Sequence, residues 1–447
     1  MLLNGVGAGR VAGMRRELRH AVGWVGLVIL VVMGAGCSSV PEMMPTPNMY
    51  LGGGAFRGVP EVLRSNVVDV MYVTDREPTS TLGGQLTYSY KRMASLGFGS
   101  AFVSLGKDVS WEDLVRDSQV RKRGRDYPVF LREVWERGRF PETPYVTRRD
   151  ADGGWVADDD ALRQEAVMSR VLRQELMRRL EMTSRKEVVV MVHGFNNDFQ
   201  YAVGVAAQLW HFMEREGVMV SYTWPAGIGG VRGYAYDRES GEYTVHHLKQ
   251  FLRMLLSCEG VERVHLVAHS RGTDVLTTAL RELVLEERGR TGDRLVRLGV
   301  VANLVLAAPD LDVQVAGQRI AAEYLNTAVG RFTVYVCQED RAINLSNWLF
   351  EGVRRLGVLS PSDLTKQQLR KVAKAENTHV IDVQGGAGFL SHGYFYENPA
   401  ASSDLLLLLR EDCDPGVGGV RPLEPLVEQF WVLEEDYPVG AGGVAER

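Results

Sequence analysis

The stretch Val264-His265-Leu266-Val267-Ala268-His269-Ser270-Arg271-Gly272-Thr273-Asp274 decides the fold, because an apolar run stops at a serine and a helical pattern begins at once. The apolar run predicts a buried strand. A strand, a tight turn and a helix in this order hold a serine hydroxyl clear of the backbone, where a histidine can remove its proton. Ser270 is therefore the candidate nucleophile. The apolar residues that recur at helical spacing after it are Val275, Leu276, Ala279, Leu280 and Leu283.

The pentapeptide Ala268-His269-Ser270-Arg271-Gly272 differs from the nucleophile-elbow motif G-x-S-x-G at its first position. Small residues are needed because the strand and the helix cross closely beside the serine, and Ala268 adds one methyl group there. Gly272 keeps the second small position. An ordinary strand followed by a capped helix can have the same five residues, so the rest of the chain must decide between the two interpretations.

From Glu187 onward, apolar runs alternate with amphipathic segments. This alternation indicates right-handed βαβ crossovers and the α/β class, with a mostly parallel sheet and helices on both faces. Two apolar runs upstream, over 67–73 and 98–105, predict two N-terminal strands that open the sheet. The strands predicted after them are Val188–Val192, Val218–Thr223, Val261–Val267, Leu298–Leu306, Phe332–Val336 and His379–Val383.

The composition is that of a globular protein, with 447 residues, 45% hydrophobic, 24% charged and a formal net charge of −5. No large basic excess points to nucleic acid, so no nucleic-acid partner is expected. We divide the chain into a signal segment (1–37), a tether rich in Pro, Gly and Met (38–60), one α/β domain (61–411) and a C-terminal tail (412–447).

The N-terminus predicts export. Arg15, Arg16 and Arg19 precede the stretch from Ala21 to Met33, an apolar run too short for a comfortable transmembrane helix but suited to a signal peptide. The run ends in a stretch that resembles a bacterial lipoprotein cleavage site, with Cys37 as the lipidated residue. Gly34 stands where such sites usually have leucine, so an ordinary signal peptide or an uncleaved anchor stays open. We expect a membrane-anchored, periplasm-facing protein of the cell envelope.

No cofactor or metal is expected. His246 and His247 are adjacent in a predicted helix and cannot share a face, and the chain has no H-E-x-x-H motif. The stretch Gly227 to Gly233 lacks the third glycine of the dinucleotide fingerprint, and we interpret it as a mobile loop over the pocket. No C-x-x-C pair occurs among Cys258, Cys337 and Cys413, which argues against a zinc site.

Acyl-transfer chemistry needs two backbone donors for an oxyanion, at the same sheet edge as the nucleophile. The strand over 188–192 ends in His193-Gly194-Phe195-Asn196, where the glycine lets the Phe195 N–H turn toward the serine. The Arg271 N–H, directly after the nucleophile, points the same way. Phe195 and Arg271 are therefore the predicted oxyanion hole.

The chemistry also needs an acid that orients a histidine. Asp340 lies just beyond the strand over 332–336, the usual place for such a carboxylate. Asp310 and Asp312 also follow a strand and are rivals. A different role is open to Asp310, as the N-cap of a helix that begins near Val313.

The candidate base is His392, which comes after the final predicted strand and the glycine-rich stretch Gly385-Gly386-Ala387-Gly388. His379 begins that strand and is therefore at the wrong edge of the sheet. The order Ser270, Asp340, His392 is the order expected of an α/β-hydrolase.

Six motifs lie within roughly Val67 to Glu411. They are Val70-Met71-Tyr72-Val73-Thr74-Asp75-Arg76, Val192-His193-Gly194-Phe195-Asn196, Tyr222-Thr223-Trp224-Pro225, Ala268-His269-Ser270-Arg271-Gly272, Ala307-Ala308-Pro309-Asp310 and Asp340-Arg341-Ala342. Together they resemble a bacterial α/β-hydrolase family of unknown function. The resemblance implies the α/β-hydrolase fold and a serine, aspartate and histidine triad, and it implies no substrate.

The first functional hypothesis is a serine hydrolase that cleaves a carboxylic ester, thioester or amide of a small-molecule or lipid acyl substrate, through an acyl-enzyme on Ser270. An acyltransferase would use the same three side chains with an alcohol in place of water. The third hypothesis is a non-catalytic envelope lipoprotein with a hydrolase fold. A scaffold, however, needs no serine, acid and histidine at three separate strand ends.

Overall fold

The computed structural model describes residues 41–289, 296–340, 342–343, 354–384 and 392–438. The signal segment predicted over 1–37, including Cys37, lies outside these residues. Among the helices within them, none combines the length and the apolar character needed to cross a bilayer.

The centre of the molecule is one sheet of eleven strands, and a separate hairpin has two. Numbered in chain order, the strands are β1 (Val67–Ser80), β2 (Leu86–Leu105), β3 (Val129–Arg139), β4 (Thr147–Arg149), β5 (Trp155–Ala157), β6 (Glu187–Val192), β7 (Val218–Thr223), β8 (Arg263–His269), β9 (Val301–Ala307), β10 (Arg331–Val336), β11 (Thr378–Val383), β12 (Glu424–Val427) and β13 (Phe430–Leu433).

The large sheet has the order β12-β13-β11-β10-β9-β8-β6-β7-β1-β2-β3. From β13 to β1 every neighbouring pair is parallel, whereas β12, β2 and β3 pair antiparallel at the two ends. The predicted α/β class and mostly parallel sheet are confirmed. Because the central strands are parallel, their carboxyl ends meet at one edge, where a ligand site is expected.

Helices cover both faces of the sheet. The strand residues alternate between two cores. Val189 and Met191 pack with the helices over Phe199–Phe212 and Pro399–Glu411, while Val188 and Val190 pack with the helices over Asp159–Leu180, Gly230–Leu256 and Gly272–Arg288. A strand buried on both faces has a continuous apolar run, which is why the central strands were predictable. The helices are α1 (Trp111–Asp117), α2 (Asp159–Leu180), α3 (Phe199–Phe212), α4 (Gly230–Leu256), α5 (Gly272–Arg288), α6 (Val313–Ala316), α7 (Lys366–Ala373), α8 (Tyr394–Glu397) and α9 (Pro399–Glu411).

The first two strands are longer than the sequence predicts, and they form a hairpin that extends past the paired part of the sheet. Beyond Thr74, β1 pairs only with β2, for example through Arg76 with Arg92 and Pro78 with Tyr88. From Glu77 to Ser80 the ribbon is partly or fully exposed, so polar residues can pair there. The apolar run that signals a buried strand is therefore missing there.

The segment 38–60 differs from the predicted tether over its described part, residues 41–60. Met44, Tyr50, Phe56 and Val59 are buried in the core that contains α3 and α9. The segment has one short 3₁₀ turn, Asn48–Tyr50, rather than a longer regular element, so its apolar residues follow no helical or strand period. The segment over 41–60 therefore packs on the core of the domain and covers part of it.

The predicted C-terminal tail, over its described part, also belongs to the domain. Strands β12 and β13 extend the sheet beyond β11. Arg421 and Asp404 form an ion pair of 2.8 Å with both side chains fully buried, which fixes the segment against α9. The predicted domain end at 411 is too early, because a short edge hairpin with exposed residues gives little apolar signal.

The stretch Gly227 to Gly233, interpreted from sequence as a mobile loop, is partly helical, since α4 begins at Gly230. Positive φ angles at Gly227, Gly229 and Gly230 turn the chain into this helix. The first turns of α4 therefore lie at the carboxyl edge of the sheet, beside the candidate nucleophile.

Candidate active site

Ser270 lies on a sharp turn between β8 and α5. Its φ is 53°, in the left-handed region that costs a residue with a Cβ roughly 1 kcal/mol or more. A Cβ at Gly272 would lie 2.8 Å from the Val192 carbonyl oxygen, and one at Gly194 would lie 2.8 Å from Ser270 Cβ. Two glycines therefore let the turn pack directly against the end of β6.

The structure brings Ser270, His392 and Asp340 together at the carboxyl edge of the sheet. His392 Nε2 lies 2.6 Å from Ser270 Oγ, and His392 Nδ1 lies 2.7 Å from Asp340 Oδ2. Asp340 Oδ1 accepts a hydrogen bond of 3.0 Å from the Ile343 N–H, which fixes the carboxylate. The Asp340 side chain is fully buried, whereas that of His392 is 22% exposed, so a substrate can reach the imidazole but not the acid.

The electrostatics of this pair favour a charged imidazole. Burial alone would lower the pKa of His392, but the charge and hydrogen bond of Asp340 outweigh burial and raise that pKa above its ordinary value. Burial acts to raise the pKa of Asp340, but His392 and the Ile343 N–H hold that pKa below its ordinary value. The imidazole can therefore accept the Ser270 proton and remain stabilised as an imidazolium.

The two backbone N–H groups predicted as an oxyanion hole lie on the segments that flank Ser270. Arg271 directly precedes α5, and Phe195 follows Gly194, whose backbone packs on Ser270. Among the residues that the structure describes, neither the Arg271 N–H nor the Phe195 N–H donates a hydrogen bond. Both donors are thus available to a developing negative charge.

Arg76 supports the segment that contains Phe195, a contact that no sequence motif predicted. Its guanidinium is fully buried and donates to the carbonyl oxygens of Asn197 and Ala226, both at 2.7 Å. It also lies 3.2 Å from His193 Nε2, and the His193 ring stacks on Trp224 at 5.1 Å. Burial lowers the pKa of Arg76 to about 10, so this side chain is still a cation at neutral pH.

Asp237 of α4 holds the same segment from the other side. Its Oδ2 accepts a hydrogen bond of 2.9 Å from the Asn196 N–H, and Asn196 has a φ of 56°. Asp237 is fully buried, and burial raises its pKa to about 6, against the opposing effect of the Asn196 and Gly227 N–H groups. The buried carboxylate thereby stabilises the left-handed turn directly after Phe195.

The two rival acids have other partners. Asp310 Oδ2 accepts a hydrogen bond of 3.1 Å from the Tyr234 hydroxyl, and Asp310 Oδ1 lies 3.2 Å from Arg355 Nε. The helix cap predicted at Asp310 is wrong: Asp312 caps α6, and its Oδ1 accepts from the Val315 N–H at 2.8 Å. The cap is Asp312 because α6 begins at the next residue along the chain.

The adjacent histidines of α4, His246 and His247, lie in different surroundings. His247 is buried, and its Nδ1 lies 2.9 Å from Asp75 Oδ2, while His246 is exposed on α4. Within the described ranges, no group of three or more His, Cys, Asp or Glu side chains is placed to hold a metal ion.

A mostly parallel sheet with helices on both faces, and a serine on a left-handed turn between strand and helix, defines the α/β-hydrolase fold. The model of a family described as "Alpha/beta hydrolase of unknown function (DUF900)" matches residues 169–410, more than half of the chain. The chain belongs to this family.

A solved structure that matches the chain is described as a "predicted CIB-like hydrolase" from Thermoplasma acidophilum. It has 12% sequence identity and a TM-score of 0.27, and the match covers 51% of this chain and 88% of that one. At this TM-score the likeness adds nothing to the family assignment. No curated protein matches the sequence.

Proposed function

We propose that the protein is a serine hydrolase that cleaves a carboxylic ester, thioester or amide through an acyl-enzyme on Ser270. The observation that supports the proposal is the chain of two hydrogen bonds from Ser270 Oγ through His392 to Asp340, of 2.6 and 2.7 Å. A binding module would gain nothing from a serine held in a strained conformation against an imidazole whose pKa is raised. The strain is consistent with chemistry at this residue.

In the proposed mechanism, His392 Nε2 takes the hydroxyl proton while Ser270 Oγ attacks the substrate carbonyl carbon. The carbonyl oxygen becomes an oxyanion that accepts hydrogen bonds from the Phe195 and Arg271 N–H groups, each worth roughly 3 kcal/mol of transition-state stabilisation. The leaving group departs with the proton from His392. Water then loses a proton to His392, attacks the acyl carbon and releases the acid, and Ser270 regains its proton.

Fluorophosphonate labelling tests this function in the folded protein. We expect one covalent adduct, on the peptide that contains Ser270, because only a serine with a base at its hydroxyl displaces fluoride readily. A Ser184→Ala variant is the matched control, since Ser184 is exposed and lies before β6 at the opposite sheet edge. Modification of another residue, or none in folded protein, would contradict the proposal.

We also propose that the enzyme acts on a small-molecule or lipid acyl substrate in the cell envelope. In this proposal the enzyme itself is attached to a membrane, through lipidated Cys37 or an N-terminal anchor. The support is the order of arginines, apolar run and cysteine in residues 15–39. We expect the protein to fractionate with membranes and Cys37→Ala to be released or to stay unprocessed. Mass spectrometry of the mature N-terminus decides, and an unmodified terminus at any other residue rules out lipidation.

A further inference from the structure

His269, the residue directly before the nucleophile, transfers no proton in the mechanism above, yet it contacts the base. His269 Nε2 lies 3.0 Å from the backbone carbonyl oxygen of His392. The centroids of the His269 and His392 rings are 4.8 Å apart. On its other side the His269 ring packs on Phe395, again with centroids 4.8 Å apart. With these contacts, the His269 side chain can fix the position of the backbone that bears the His392 ring.

The carbonyl acceptor fixes the direction of this hydrogen bond, and the charge state of His269 then fixes which ring nitrogen has the proton. Burial and then the charge of His392 lower the pKa of His269 to about 3, against smaller opposing effects of the hydrogen bond to the His392 carbonyl and of the Asp340 charge. Buried His193 is a further titratable neighbour. The neutral ring has one N–H, and a carbonyl oxygen can only accept, so Nε2 has the proton and donates. His269 Nδ1 then faces Gly194, where a Cβ would lie 3.1 Å away.

We propose that His269 is a positioning residue that holds His392 in register with Ser270, an inference that rests on the proposed hydrolase function. Asp340 fixes the rotation of the His392 ring through Nδ1, but it does not fix the backbone to which that ring is attached. The hydrogen bond from His269 supplies the missing restraint at the His392 carbonyl.

The position of His269 in the chain makes the restraint effective. It is the last residue of β8 and is covalently bonded to Ser270, so the end of one strand places both the nucleophile and the base. On the other side of His392, the Gly393 carbonyl accepts from the N–H groups of Tyr396 and Glu397 at 3.1 and 3.0 Å. His392 is thus held at consecutive carbonyl groups, by β8 and by the first turn of α8.

Neutrality of His269 also matters electrostatically. His392 becomes an imidazolium while Ser270 attacks, and a second positive charge at a ring distance of 4.8 Å would oppose that step. A ring with a pKa of about 3 is uncharged at any pH at which His392 can act as a base. His269 therefore donates a hydrogen bond without disfavouring the charged form of its neighbour.

Two substitutions separate the hydrogen bond from packing. His269→Phe keeps an aromatic ring but has no donor, whereas His269→Gln has an N–H group of similar reach. We expect kcat for a p-nitrophenyl ester to fall about 100-fold in His269→Phe with KM within a few-fold, because small misplacement of a catalytic group costs this much. His269→Gln should retain kcat within about ten-fold of wild type, by the same argument. His246→Phe, at an exposed histidine of α4, is the matched control and should match wild type.

A spectroscopic measurement makes the test independent of turnover. In protein labelled with ¹⁵N-histidine, the His392 Nδ1–H bonded to Asp340 should give a low-field proton resonance in wild type and His269→Gln, and this resonance should weaken or vanish in His269→Phe. Wild-type kcat together with an unchanged resonance in His269→Phe would overturn the positioning role. A loss of kcat in His269→Gln at least as large as in His269→Phe would show that an N–H group does not rescue the site, and would overturn the positioning role too. Failure of wild type itself to react with fluorophosphonate would instead refute the hydrolase function, on which the inference rests.

Discussion

Replacing Ser270 with alanine is expected to lower kcat/KM for short-chain p-nitrophenyl esters by roughly four orders of magnitude or more. The variant has no Oγ to attack the carbonyl carbon, so the acyl-enzyme cannot form. Substrate binding and the N–H groups of Phe195 and Arg271 would remain, but they stabilise a transition state that the variant cannot reach. Hydrolysis is measured by p-nitrophenol release, and acyl-enzyme formation by fluorophosphonate labelling, which should also disappear.

The same variant should fold normally. Alanine can occupy the left-handed turn about as well as serine, and its methyl group fits beside Gly194, where Ser270 Cβ already lies. We therefore expect a melting temperature close to that of wild type, with Ser184→Ala as the control for loss of a hydroxyl. Residual activity within a few-fold of wild type, in a variant with an unchanged melting temperature, would remove Ser270 from the nucleophile role.

The central part of the fold could be predicted because its signal is local. Strands such as β6 and β8 are covered on both faces, so each is a continuous apolar run, and the helices between them are amphipathic. The same regularity places the residues after each strand at one edge. The sequence could therefore predict that Ser270, Asp340 and His392 share one edge of the sheet, where the structure brings them together.

The support of the site could not be predicted, because it depends on contacts between distant parts of the chain. Arg76 is a charged residue in a strand, and its partners Asn197 and Ala226 are more than a hundred positions away. Nothing local distinguishes this buried guanidinium from a solvated one. Asp237 is similar: it is a charged residue near the start of α4, yet it is buried and accepts a hydrogen bond from the Asn196 N–H.

Sequence alone also left the choice of acid open for a physical reason. Asp310 and Asp340 follow β9 and β10, which are adjacent in the sheet, and β10 is next to β11. Strand order therefore brings both carboxylates close to His392, and only the local path of the chain decides which one meets Nδ1. Asp340 turns back toward the imidazole, while Asp310 is engaged by Tyr234.

The second large effect is expected for Asp340→Asn, with kcat/KM lower by roughly 10⁴-fold at neutral pH, the loss seen when an amide favours the wrong histidine tautomer. The amide nitrogen that this substitution introduces can donate to His392 Nδ1, so the proton moves to Nε2 and blocks acceptance of the Ser270 proton. Folding should be little affected, because the amide oxygen can still accept from the Ile343 N–H. Steady-state kinetics and a melting curve measure the two effects.

The rise of kcat/KM on the acid side of the pH profile should shift in a defined direction in Asp340→Asn. Asp310→Asn is the matched control. Asp340 is the main cause that raises the pKa of His392, against burial, and Asp310 adds a smaller effect in the same direction. In wild type, kcat/KM should therefore rise with pH around a pKa above the usual histidine value. In Asp340→Asn burial is left unopposed by that carboxylate, so the residual activity should rise at a lower pH. Asp310→Asn should move the acid limb slightly in the same direction and keep most of the rate, because the wild-type Asp310 carboxylate is hydrogen-bonded to Tyr234 rather than to His392.

If Asp310→Asn is instead the inactive variant and Asp340→Asn stays active, the orienting carboxylate is Asp310, at the end of β9, while Ser270 and His392 keep their proposed roles.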